Sequence, residues 1–140
     1  MAAEAAAAPG AIYQRPPAYL LLEQDHKDIN ALADAGIPRT TAMVLITLHR
    51  YSKGVEVTSR WLERVTDLRQ PEVSIAMGHL KDAGLITTTE SKAHSKGGGR
   101  PIAVYHVRGD IAKYLRDRIA VRMGELNRGI MTINKIFEGE

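Results

Sequence analysis

Cysteine is absent from the 140 residues. That one absence excludes disulfides, thiolate zinc sites, thiol nucleophiles and cysteine redox sensing together. No apolar run approaches ~18 residues, so no transmembrane helix is expected. The opening MAAEAAAAPG has small residues but neither a basic start nor a long apolar stretch. It does not read as a signal peptide, and the expected location is the cytoplasm. Aromatic residues make up only 5%, yet the 44% hydrophobic content is enough to bury a core. With no internal repeat, the length fits one domain with an appended helix or tail.

Catalytic and cofactor signatures are also missing. His26, His49, His79, His94 and His106 are scattered, and no pair has HExxH or similar ligand spacing. Gly97-Gly98-Gly99-Arg100 lacks the Gly-Lys-Ser/Thr ending of a P-loop. No nucleophile elbow or paired-carboxylate motif occurs. No enzyme activity, cofactor or metal is expected.

Charge is nearly balanced overall: 19 Lys+Arg against 16 Asp+Glu, hence +3. Its distribution is uneven. Residues 58–118 hold eleven basic and seven acidic residues, +4, while the remainder holds eight and nine, −1. A positive excess mid-chain attracts polyanions, although many ordinary surfaces carry as much.

Hydrophobic spacing and turn residues divide the chain. Residues 1–17 are Ala-rich and broken by Pro9, Gly10, Pro16 and Pro17, and read as a mobile arm. Over 18–35, Leu21, Leu22, Asp25, Ile29, Leu32 and Ala33 recur at helical steps, ended by Gly36 and Pro38. A second helix over 39–51 has too many apolar positions for a narrow stripe, which makes it central to the core. Residues 55–57 can form one short strand. A third helix follows a Thr58 or Ser59 cap to about residue 66 and buries Trp61, Leu62 and Val65. After a tight connection, a fourth helix spans about 70–83, with Pro71 in its first turn and Val73, Met77 and Leu80 inward. Residues 85–90 and 101–107 read as a hairpin around a polar, glycine-rich loop. Residues 109–137 form a long last helix. The expected fold class is mainly α with a small β-hairpin wing (α+β), a winged helix-turn-helix with N- and C-terminal dimerisation helices. Its expected parts are the arm at 1–17, a DNA-binding domain at 18–108, and a dimerisation helix at 109–140.

The stretch Leu68-Arg69-Gln70-Pro71-Glu72-Val73-Ser74, with Leu80-Lys81-Asp82-Ala83-Gly84-Leu85-Ile86, resembles the recognition-helix segment of winged-helix transcriptional regulators. The MarR, ArsR and TrmB groups are the nearest in kind, particularly their archaeal members, and the likeness covers roughly residues 37–108. It implies a duplex-DNA-binding regulator of transcription. Metal sensing does not carry over from the ArsR group, because the last helix has no His.

The residues support that expectation on their own chemistry. A helix fits the major groove, where base edges present distinguishable donors and acceptors. Gln70 can pair with adenine and Glu72 can accept from cytosine, or both can serve as capping and dipole partners of the helix start. Ile75 either packs on thymine methyls or completes the apolar face. Arg69, Ser74 and His79 are candidates for phosphates, with Pro71 at the same helix start. Thr58 and Ser59 can hold phosphates at a helix N-terminus. In the wing at 91–100, Lys92, Lys96 and Arg100 supply positive charge that the recognition helix lacks, and Arg100 suits insertion into a narrow minor groove. Such a tip can also be a solvated loop.

In the last helix Ile119, Met123, Leu126, Ile130, Ile133 and Phe137 are spaced 4, 3, 4, 3, 4, a coiled-coil-like seam. Ile111 and Leu115 extend it backwards. The seam packs either on its own domain or, as expected here, on a second copy, helped by the helix around Leu20–Leu32. A homodimer would read two half-sites about 34 Å apart. A small-molecule effector, if one exists, would sit at the junction of dimer helices and winged helix. No membrane partner is expected. The rival reading is a winged-helix protein-interaction module without DNA binding, favoured by the near-neutral recognition helix.

Overall fold

The computed structural model describes residues 21–91 and 101–138. The arm at 1–17 and the wing residues Lys92, Lys96 and Arg100 lie outside the described residues. Among the described residues five helices and one hairpin follow in order: α1 Glu23–Asp34, α2 Arg39–Tyr51, α3 Ser59–Thr66, α4 Gln70–Asp82, β1 Ile86–Ser91, β2 Ile102–Val107 and α5 Ile111–Phe137.

Local chemistry sets most boundaries. The Leu22 amide donates to the Asp25 carboxylate at 2.8 Å at the start of α1, and residues 18–20 of the expected helix lie outside the described residues. Gly36 at φ +106 and Gly84 at φ +78 take the left-handed turns that end α1 and α4. The Leu85 amide then closes back on the Leu80 carbonyl at 3.0 Å. The short strand expected at residues 55–57 does not form as a strand. Val57 alone joins the hairpin, through one bridge in which the Tyr105 amide donates to its carbonyl at 2.8 Å. Three residues next to a turn are too few to sustain a ladder of their own.

Helix α2 lies at the centre, with every residue from Thr41 to Leu48 buried. Around it pack Ile29 of α1, Leu62 and Val65 of α3, and Val73, Met77 and Leu80 of α4. Trp61 is also core. The hairpin is antiparallel, pairing Ile86 with Val107 and Ser91 with Ile102, and Ile86 anchors it to that core.

One buried charge ties α1 to α2. Asp25, 2% exposed, accepts from the Leu22 amide, the Tyr51 hydroxyl and the Arg50 guanidinium, which also reaches Asp28. Burial alone would raise the Asp25 carboxyl, but the hydrogen bonds from Tyr51, Leu22 and Arg50 outweigh it and hold its pKa below the ordinary value. Burial and the same contact push the Tyr51 hydroxyl up to about 12.

Helix α5 begins with the Asp110 side chain accepting from the Lys113 amide at 3.1 Å. Its first two and a half turns rest on the core through Ile111, Tyr114, Leu115 and Ile119. Beyond them it runs on with Met123, Leu126, Ile130, Ile133 and Phe137 exposed. At 27 residues it is about 40 Å long.

Candidate nucleic-acid interface

Helices α3 and α4 meet at a turn through Asp67, whose left-handed backbone (φ +61) lets its amide close on the Glu63 carbonyl. Aspartate tolerates this conformation better than most residues. Val73, Ala76, Met77 and Leu80 are then buried, which turns the opposite face of α4 outward. Gln70, Pro71, Glu72, Ser74, Ile75 and His79 are all exposed there, as is the preceding Arg69. Of the two readings of Ile75, completion of the apolar face does not apply, since the side chain is 61% exposed. Glu72 does serve the helix start: its carboxylate accepts from the Arg69 amide at 2.9 Å.

Thr58 and Ser59 both engage the chain itself. The Thr58 hydroxyl oxygen caps α3 by accepting from the Trp61 amide at 3.1 Å, and the Ser59 hydroxyl donates to Glu63 at 3.3 Å. Thr58→Ala should therefore lower stability by about 1 kcal/mol in a urea titration, whatever its effect on binding.

A cleft of about 390 Å³ lies between the start of α3, the start of α4 and strand β2. It brings Thr58, Ser59 and Gln70 together with Arg60, Glu63, Ile102, Ala103 and Tyr105. Burial raises the pKa of Tyr105, keeping the phenol neutral at the base of the wing. Residues 69, 71, 74, 75 and 79 do not line this cleft and stand on the neighbouring outer face of α4.

Arg60 and Tyr105 were not among the expected site residues. For Tyr105 no local signal existed, since only the hairpin register brings it beside α3. For Arg60 one did: it stands in the first turn of α3, which has no acidic residue. A cation there opposes the helix dipole. The charge of α4 itself is small, Lys81 against Glu72 and Asp82 in its last and first turns. Among the described residues no group of three or more His, Asp or Glu could hold a metal ion. No described helix is long and apolar enough to cross a membrane.

Two helices joined by a tight turn, the second presenting an outer face and leading into a two-stranded hairpin, define a winged helix-turn-helix protein. Residues 35–97 match the family model described as MarR family, a span from the end of α1 into the wing. Over that span the chain is similar to the MarR family of DNA-binding winged-helix transcription regulators, in agreement with the helix-turn-helix and hairpin described above. Comparison with proteins of curated function gives no match.

Proposed function

We propose that this protein is a cytoplasmic, homodimeric regulator of transcription that binds duplex DNA with sequence preference and catalyses no reaction. Residues 18–108 are the binding domain, 109–140 the dimerisation helix, and 1–17 an arm. The observation that carries the proposal is the outward face of α4: six exposed residues of mixed hydrogen-bonding and apolar character on a helix wide enough for the major groove. In this reading Gln70 and Ile75 contact bases, with Glu72 free to accept from cytosine through the oxygen its cap does not use. Arg69, Ser74 and His79 contact phosphates. Thr58, Ser59 and the added Arg60 meet the backbone at the cleft, while Lys92, Lys96 and Arg100 reach the adjacent groove.

The long apolar stripe of α5 supports the dimer. Met123, Leu126, Ile130, Ile133 and Phe137 are each more than half exposed, a face too large to leave wet. Ile119 bridges the seam and its own core. Gly129, with open space around it, lets a partner helix come close.

A fluorescence titration of labelled duplex tests the proposal. A dimer neutralising ~6–10 phosphates should lose ~10³–10⁵ in affinity between ~50 and ~200 mM salt. The double substitution Lys96→Ala, Arg100→Ala should weaken all sequences alike. Gln70→Ala should instead change preference at one base pair by ~1–3 kcal/mol. Absence of duplex binding at low salt rejects the proposal. Salt-insensitive association with a protein, without retention on DNA, would support the rival interaction module, which the near-neutral α4 favours.

A further inference from the structure

We propose that Gly78 is the point at which α4 comes closest to the DNA bases, and that Ile75 beside it recognises thymine through its methyl group. This rests on the DNA reading above and adds to it a named base feature and a residue whose use lies outside the chain.

Gly78 is the ninth residue of the thirteen in α4. Glycine in a helix interior is less favourable than alanine, because more backbone freedom is lost and no side chain packs. Other described glycines outside the last helix have a local reason, while Gly124 and Gly129 within α5 share with Gly78 a helical backbone and room for a Cβ, and lie on the helix whose apolar stripe is assigned to a partner. Gly36 and Gly84 hold a left-handed backbone, and a Cβ on Gly109 would lie 2.8 Å from Leu85. Neither reason holds for Gly78. Its φ is not positive, and a Cβ there would meet nothing within 4 Å. The fold would accept alanine and gain from it, so the missing side chain serves something that approaches from outside.

The surroundings name the approaching group. Gly78 follows Ile75 by three residues and Ser74 by four, which puts all three on one helix face. Ile75 is 61% exposed, whereas no other large hydrophobic residue described between 21 and 107 exceeds 39%. In the major groove the one apolar group on a base edge is the thymine C5 methyl. An isoleucine next to a notch with no side chain forms a shallow apolar seat for that methyl. The notch lets the helix backbone sink far enough for the contact.

The test uses the full chain and an operator obtained by selection from random duplexes. Gly78→Ala should raise Tm by about 3 °C, because alanine favours the helix. The same variant should bind the operator about tenfold more weakly. Its affinity for unrelated duplex should stay unchanged, since phosphates dominate there. Replacing the contacted thymine of one half-site by deoxyuridine removes only the methyl and should weaken wild type about fourfold. Ile75→Ala should be insensitive to that replacement. If Gly78→Ala binds the operator as tightly as wild type and uracil is silent at every thymine, the inference fails while the DNA reading stands. If wild type binds no duplex at all, both fall.

Discussion

Exchanging Leu126 and Ile130 for aspartate is expected to turn the protein into a monomer while leaving its winged helix folded. Both side chains are more than half exposed in the single chain and lie beyond the part of α5 that touches the core. The domain therefore loses no packing. In a two-fold dimer each substitution counts twice, so four apolar side chains are removed from the interface. At about 1.5–3 kcal/mol for each, self-association should weaken by at least ~10⁴-fold. Sedimentation equilibrium reads this directly, and circular dichroism checks that helix and melting remain. Operator affinity should fall with the dimer, because a monomer keeps one half-site and loses the gain from linking two. An unchanged mass would show that the stripe is covered by something other than a second copy.

The second large effect concerns Asp25. Asp25→Ala should destabilise the fold by about 3 kcal/mol, the lower end for a broken buried ion pair, because the Arg50 side chain is 34% exposed and can regain water. The Tyr51 hydroxyl and the Leu22 amide lose their acceptor as well. The pH dependence follows from the sign of the shift. The folded pKa of Asp25 lies below its ordinary value, so its stabilisation is fully present above the unfolded pKa of about 3.9. It is lost as pH falls through the folded pKa. Asp28, also lowered, chiefly by its hydrogen bond from Arg50, works in the same direction. Urea midpoints of wild type should drop steeply below about pH 4, while Asp25→Asn should show a flatter profile from a lower starting point. Parallel profiles would mean that Asp25 is not the group responsible.

Much of the fold was legible because its signals are local. Proline and glycine mark the ends of α1, α2 and α4, the Thr58 hydroxyl marks the start of α3, and spacing identifies the inward residues of α4. The polar residues of the exposed face of α4 follow from that spacing; the side on which Ile75 lies does not. Asp25 was visible only as a residue in phase with Leu21 and Ile29; its partners Arg50 and Tyr51 stand 25 and 26 residues away. Val55 to Val57 carry a β-like composition, but pairing depends on a hairpin some fifty residues later, and it reaches Val57 alone.

Composition and periodicity were thus sufficient for most of the order of elements and for the apolar repeat of α5, since each depends on neighbours within a turn or two. Only the tertiary structure decided that Ile75 stands clear of the core, that Arg60 and Tyr105 share a cleft with Gln70, and that the apolar packing of α5 on its own core ends at Ile119. These depend on how helices cross and how a hairpin registers, relations between distant segments that no local pattern encodes.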